Sequence, residues 1–388
     1  MIINKIRRGD IIRVSVDSIG FGGLGIGRYN NIAVFIRDGL PGQEVDCMVL
    51  KKKSNLIEGK IEIIIKESPY YTEPACSHFY DCGGCSIQHL SYNQQLIQKK
   101  AQILDVIKRI GKVNEFVFND FEETGEQFHY RNKMEFTFSR NVWFPRDKSI
   151  IINNTNFALG LHVPKRFDKV LNVDRCFIQD DKCNEIINLV SELAIENNLS
   201  PYNIRRHDGF LRTLVIRKSV RHNKIMVNFV TAYKDIKTIN KVFVKKLTST
   251  FKEISSIINT IHSGKSQTSY GESEECLFGD NVIMEDICGL TFKISATSFF
   301  QTNTLQAENL YNIVRNNLNG FKDKIIYDLY CGTGTISLII ADLVKKVIGI
   351  ELINSAVDNA NENKINNKIE NVEFIKGDLN KFFSSEKS

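Results

Sequence analysis

Three cysteines fall within ten residues, in Cys76-Ser-His-Phe-Tyr-Asp-Cys82-Gly-Gly-Cys85, with five and two residues between them. Three thiols on a loop where Gly83-Gly84 lets the backbone fold round an ion or cluster form a metal-site pattern. Zinc and an iron–sulfur cluster both suit thiolate ligands, and the spacing does not choose between them. A fourth ligand has to come from elsewhere. Cys176, in Val173-Asp-Arg-Cys176, is the candidate, because Cys183 lies inside a helical pattern.

A second constellation begins at Ile325-Ile-Tyr-Asp328-Leu-Tyr330-Cys331-Gly332-Thr-Gly334. An apolar run ends in an acid and gives way to a glycine turn that opens a helix. Nineteen residues after Gly332, the run Lys346–Ile350 ends in Glu351, whose carboxylate can accept both hydroxyls of a ribose. A third run, Asn371–Ile375, ends in Gly377-Asp378, placed to meet an adenine edge. Acids at the ends of three successive strands point to a nucleoside cofactor. Gly332-Thr-Gly334 lacks the third glycine of the dinucleotide fingerprint, and Asp328 would repel a pyrophosphate, so S-adenosylmethionine is favoured over NAD.

These residues need elements to hold them. From Asp10 to about Lys66 apolar residues alternate with period two, as in Ile12, Val14 and Val16 against Arg13, Ser15 and Asp17. With the Gly22-Gly23-Leu-Gly25-Ile-Gly27 bends and the Leu40-Pro41-Gly42 turn, this reads as a five-stranded barrel of the oligonucleotide-binding kind; an SH3-like barrel is equally compatible with composition. The cysteine loop spans 69–91, and Tyr92 to about Ile110 has helical spacing. Strands follow at 133–138, 212–217 and 224–230, and helices at 183–197 and 237–251. After about Leu277 a helix around 304–318 leads into an α/β pattern of parallel strands. The expected domains are a β-barrel over 1–68, a central α+β domain over 69–276, and a Rossmann-like α/β domain over 277–388. The 92–110 helix is expected to pack on the last of these.

The chain has 388 residues, 51 Lys and Arg against 45 Asp and Glu, and 42% hydrophobic residues, which excludes a disordered tail. The net charge of +6 divides as +3 over 1–70, +4 over 71–320 and −1 over 321–388, a mild lean towards a polyanionic partner. The N-terminus has no apolar signal core, and nowhere do eighteen apolar residues run together. A cytoplasmic protein without a membrane partner is expected, with cysteines acting as ligands or core residues rather than as disulfides. The turns Lys51-Lys52-Lys53 and Arg205-Arg206-His207 read as solvated.

Taken together, the chain resembles the RNA uracil-5-methyltransferases, especially those that modify 23S ribosomal RNA, over nearly its whole length. The barrel is similar to their RNA-binding TRAM domain, and His129-Tyr-Arg-Asn-Lys-Met-Glu-Phe136 to a segment of their central domain. Cys76, Cys82, Cys85 and Cys176 match the four ligands of their 4Fe-4S cluster, which implies iron–sulfur rather than zinc. Ser298-Phe-Phe-Gln301-Thr-Asn303 is similar to the segment whose glutamine contacts S-adenosylmethionine, and Tyr330, Glu351 and Asp378 match cofactor-contacting positions, with Asp328, Gly332 and Gly334 in the turn.

The resemblance implies that a cysteine thiolate adds to carbon 6 of uracil, that carbon 5 then attacks the methyl donor, and that a base removes the carbon-5 hydrogen. In the family the nucleophile precedes Asn-Pro, the base is a glutamate near the C-terminus, and an Asp-Pro-Pro-Arg segment completes the site. No cysteine here precedes Asn-Pro, and the six prolines end at Pro201. The expectation is therefore a C-terminally incomplete enzyme, inactive alone, with no catalytic residue among the 388 and a separate chain as a candidate carrier of the missing half. The alternative is a non-catalytic RNA-binding iron–sulfur protein derived from such an enzyme. In the incomplete form, strand 325–327 is an open edge, and poor solubility beyond about Leu277 is expected.

Overall fold

A computed structural model of the chain describes residues 6–119, 124–145, 156–379 and 382. They form two compact units, Met1–Glu123 and Thr124–Ser388.

The first unit opens with β1 (Ile11–Ile19), β2 (Gly25–Tyr29), β3 (Ile32–Arg37), β4 (Glu44–Lys52) and β5 (Leu56–Lys66). They close into a barrel of order β1-β2-β3-β5-β4, in which β3 and β5 run parallel. The alternation read from the sequence is the cause: Ile12, Val14, Val16, Val34, Ile36, Val45, Val49 and Ile57 all point inward and fill the barrel. The cysteine loop follows, pinched by a bridge between Tyr71 and Leu90. It leads into α1 (Tyr92–Asp105), whose last turn widens to a π-helix over Val106–Ile110. Gln98 accepts from the Ile19 amide at 3.0 Å and Gln102 donates to the Ile19 carbonyl at 2.6 Å, so α1 is tied to the end of β1.

The second unit contains a seven-stranded sheet built from β6 (Lys133–Ser139), β7 (Ala158–Val163), β8 (Arg166–Asn172), β9 (Leu211–Ser219), β10 (Lys224–Thr231), β11 (Ile254–Ile261) and β12 (Ser273–Gly279), in the order β12-β11-β10-β9-β6-β7-β8. Three helices belong to it: α2 (Asp181–Glu196), α3 (Ile236–Ile239) and α4 (Lys245–Thr250), the last two joined by a π turn over Asn240–Val244. The helix expected over 237–251 is thus present but widened in its middle. There Phe243 stacks on Phe229 of β10 at 4.6 Å.

Met226 and Ile258 share a core with Ile283, Ile287, Phe292 and Ile294 of a hairpin, β13 (Val282–Ile287) and β14 (Leu290–Ser295), which the sequence reading did not anticipate. Next come α5 (Thr304–Asn317), β15 (Ile325–Leu329), α6 (Thr335–Ile339), β16 (Lys346–Glu351), α7 (Asn354–Asn366) and β17 (Val372–Lys376). The three strands form a parallel sheet of order β15-β16-β17, the expected α/β arrangement. Asn363 of α7 accepts from the Lys293 amide at 2.9 Å and Asn367 donates to the Thr291 carbonyl at 2.8 Å, which fastens the hairpin to the sheet's helix.

Among the described residues β15 has a partner on one side only. Ile325, Tyr327 and Leu329 are exposed by 49%, 43% and 42%, the open edge that the sequence led one to expect. No helix of the described residues is long and apolar enough to cross a membrane.

Candidate cofactor site and family membership

The register Leu329↔Ile350 and Ile350↔Ile375 brings the carboxyl ends of the three strands level. Tyr330, Glu351 and Gly377 therefore share one edge of the sheet, where open α/β sheets bind ligands. The chain leaves β15 through Tyr330, which is 78% exposed and held at φ +62°, and then through Gly332 and Gly334 at φ +56° and +76°. A side chain at Gly334 would collide with Phe374 of β17, the ring carbon lying 2.4 Å from where a Cβ would sit. At Gly332 a Cβ would meet nothing within 4 Å, so the turn's backbone faces open space where a ligand can approach.

Glu351 ties the turn to β16. Its Oε2 accepts from the Gly332 amide at 3.1 Å and its Oε1 from the Ile353 amide at 2.9 Å. A carboxylate has about four acceptor positions, so the two backbone bonds orient Glu351 and still leave a lone pair on each oxygen for a pair of hydroxyls. Asp328, which the sequence also placed at the cofactor site, is held from within the fold. Its Oδ2 accepts from Ser337 Oγ at 2.6 Å, and burial raises its pKa against that hydrogen bond. Burial, with Asp328 and Glu351 nearby, pushes the Cys331 thiol up to about 12, which disfavours its thiolate form. Asp378 follows β17 at the same end of the sheet, half-buried.

Gln301 reaches this edge on a strap, residues 295–304, that runs from β14 to α5. Thr333 Oγ1 of the glycine turn lies 3.5 Å from the Phe299 carbonyl, Asn359 of α7 donates to Ser298 Oγ at 3.3 Å, and Asn132 donates to the Gln301 carbonyl at 2.8 Å. Gln301 itself is exposed. Of the residues that sequence reasoning named for the cofactor, Tyr330, Gly332, Gly334, Glu351 and Asp378 lie at this end of the sheet, and Gln301 is on the strap tied to it. The roles of Asn132, Ser298 and Asn359 in holding the strap were not read from the sequence, because each acts through a contact far away in the chain.

A cavity of about 740 Å³, lined among others by Cys288, Arg315, Lys368 and Asn371, sits at the opposite, amino-terminal end of the strands. Its guanidinium is already committed: Arg315 holds Asp342 through two bonds of 2.7 and 2.9 Å.

In the cysteine loop the Cys82 amide donates to the His78 carbonyl at 2.8 Å and the Gly84 amide to Cys82 Sγ at 3.3 Å. The soft sulfur donors and an N–H pointed at one of them suit a thiolate-ligated cluster. Among the described residues, however, no three His, Cys, Asp or Glu side chains are gathered as a ligand set. Cys176 is buried in the second unit, its amide held by Asn184 Oδ1 at 2.9 Å.

Comparison with known proteins settles the family. Residues 5–61 match the TRAM domain and residues 321–388 a methyltransferase domain. The chain is 36% identical over 375 residues to an uncharacterized RNA methyltransferase of Caldanaerobacter subterraneus subsp. tengcongensis, an alignment covering 96% of this chain and 81% of that one. It is 34% identical over 390 residues to another from Chlorobaculum tepidum, covering 99% and 80%. The chain belongs to the RNA methyltransferases.

The fold agrees. The crystal structure of the Pyrococcus abyssi tRNA (uracil-54, C5)-methyltransferase, in complex with S-adenosyl-L-homocysteine, superposes with a TM-score of 0.71 at 24% identity, over 95% of this chain and 80% of that one. For an RNA methyltransferase with this domain, S-adenosylmethionine is the supported cofactor and RNA the supported substrate. The barrel is accordingly a TRAM domain.

Proposed function

We propose that this RNA methyltransferase serves methylation of carbon 5 of a uridine in 23S ribosomal RNA, in the cytoplasm, and that Gln301, Tyr330, Gly332, Gly334, Glu351 and Asp378 hold the cofactor. The observation that carries the reading is the level edge formed by Tyr330, Glu351 and Gly377, with both oxygens of Glu351 pre-oriented by backbone amides. S-adenosylmethionine, when bound, supplies the methyl group. Glu351 would accept the two ribose hydroxyls, the exposed Tyr330 ring would pack on the nucleoside, and the backbone at Gly332 would admit the ligand closely. Asp378 would meet the adenine edge. Asp328, bonded to Ser337, would hold the turn rather than touch the ligand.

Activation of uracil needs a thiolate at carbon 6. The thiol in the glycine turn, Cys331, is pushed up to about 12, away from the thiolate that this step needs. The reading therefore assigns the nucleophile to none of the 388 residues. With labelled S-adenosylmethionine and unmodified 23S RNA, this chain alone should bind the cofactor yet transfer no methyl group. Label appearing on carbon 5 without a second polypeptide overturns the nucleophile assignment, and label on tRNA but not on 23S RNA overturns the substrate.

The partner RNA also has a surface to meet. Arg166 and Arg205 flank Asp168, at 3.5 and 2.7 Å, and Arg140 reaches Asp208 at 3.5 Å. Arg140, Arg166 and Arg205 stand there with two aspartates, next to the exposed Phe167 ring. The Arg166→Glu, Arg205→Glu double variant should weaken RNA binding by about tenfold at moderate salt and flatten its salt dependence. Unchanged binding and slope would remove the patch from the interface.

The same proposal includes a 4Fe-4S cluster on Cys76, Cys82 and Cys85, with Cys176 as the fourth ligand that the resemblance implies. Its support here is the donor set and the Gly84 N–H···S bond to Cys82. Protein purified without oxygen should be brown, and Cys82→Ala should lose that absorption. A colourless protein containing stoichiometric zinc would refute the cluster.

A further inference from the structure

Arg217, on β9, is 3% exposed, and among the described residues its hydrogen-bond acceptors are main-chain carbonyls rather than a carboxylate. Burial of a guanidinium is costly, and here it pulls the pKa down to about 10, against the opposing pull of the Glu135 and Glu274 carboxylates. The carbonyls it holds belong to Ala296, at 3.1 Å from Nε, and Ser298, both on the strap that presents Gln301. Asn132, immediately before β6, holds the far end of the same strap. Its Nδ2 donates to the Gln301 carbonyl at 2.8 Å and to Thr304 Oγ1 at 2.9 Å, and its amide donates to the Thr302 carbonyl at 2.8 Å. β6 and β9 are neighbours in the sheet, with Lys133 opposite Arg217. One site on the seven-stranded sheet therefore grips the strap at both ends, leaving Phe299, Phe300 and the Gln301 side chain between the grips.

We infer that Arg217 and Asn132 are positioning residues for the cofactor site, setting where Gln301 stands relative to the glycine turn although neither belongs to the sheet that carries that turn. The inference rests on the proposed assignment of Gln301 to the cofactor. Neither residue touches the proposed ligand, and their effect passes through the strap backbone. Two features separate this from ordinary core packing. The acceptors are carbonyls on both sides of a functional residue, and a second buried arginine on the same strand offers a contrast. Arg212 donates to the carbonyls of His262, Gly264 and Ser266 and lies 4.0 Å from the Tyr202 ring, so it anchors a different loop with the same chemistry.

The test measures S-adenosylhomocysteine affinity by calorimetry together with the ligand-free melting temperature, for the full chain and for Arg217→Lys, Asn132→Ala and Arg212→Lys. A lysine offers one ammonium in place of the separated Nε and Nη2 donors, so it holds the two carbonyls less well. Arg217→Lys and Asn132→Ala should each weaken binding by about tenfold or more, while Arg212→Lys should lower the melting temperature comparably and leave affinity within twofold. Affinity unchanged in folded Arg217→Lys and Asn132→Ala, or weakened equally by Arg212→Lys, overturns the positioning role. If Arg217→Lys does not fold, Asn132→Ala against Arg212→Lys decides. No binding by the unsubstituted chain overturns the cofactor assignment itself, and this inference with it.

Discussion

Glu351→Ala is expected to weaken S-adenosylhomocysteine binding by at least about a hundredfold. If the carboxylate accepts both ribose hydroxyls as proposed, each hydrogen bond contributes ~1.5–3 kcal/mol, and even the low end of their sum, ~3 kcal/mol, corresponds to about two decades of affinity. A second loss adds to the first. The same carboxylate orients the Gly332 amide at 3.1 Å and the Ile353 amide at 2.9 Å, so its removal also loosens the glycine turn. Glu351→Gln separates the two effects. Its single carbonyl oxygen can accept from one amide while the NH2 group faces the other, and an intermediate loss of about tenfold is expected. Calorimetric titration of the three proteins checks both values. Affinity of Glu351→Ala within threefold of the unsubstituted chain would remove the ribose contact.

Glu285→Ala should destabilise the second unit by ~3–5 kcal/mol, because two amides and two hydroxyls lose their shared acceptor at once. Glu285 is 0% exposed on β13. Its carboxylate accepts from the amides of Val220 and Arg221, at 2.7 and 2.9 Å, and from the hydroxyls of Ser219 and Thr304, at 3.3 and 3.2 Å. The turn between β9 and β10, the hairpin and the start of α5 thus meet on one side chain. Alanine leaves these two part-buried amides, and the Ser219 and Thr304 hydroxyls, without that acceptor, at ~1 kcal/mol or more for each. In a unit of this size the melting temperature should fall by roughly 6–15 °C. A fall under 2 °C would show that the turn relaxes to water. Because Thr304 also receives Asn132, the variant should loosen the strap's far end and reduce cofactor affinity too, although less than Asn132→Ala.

The barrel was legible because each strand has one wet face, so Ile12, Val14 and Val16 alternate visibly with polar neighbours. The glycine turn and Glu351 were legible because their chemistry is local. Other elements were hidden for physical reasons. β11, Ile254-Ser-Ser-Ile-Ile-Asn-Thr-Ile261, is buried on both faces and carries Ser256, Asn259 and Thr260 inside, satisfied in part by Asn228 and Thr231, so no alternation marks it. β13 does alternate, but Glu285 occupies an inward position where the pattern demands an apolar residue. The grip of Asn132 on Gln301 joins residues 169 apart, and no spacing within one segment reports such a contact. The sequence also suggested a gathered set of thiols, which the described residues do not show.

Among the described residues β15 pairs on one side only, and this bears on motion as well as on solubility. A strand hydrogen-bonded along both sides opens only when two ladders break, whereas β15 needs to lose one, so its amides belong to the low-free-energy end of local opening. The glycine turn grows directly from this strand. Its geometry is therefore borrowed from β16 through Glu351 and from the strap through Thr333, and a bound nucleoside bridging those elements would tighten the strand behind it. In hydrogen exchange, the amides of 325–329 should be the ones that slow most when ligand binds, even though none of them touches it.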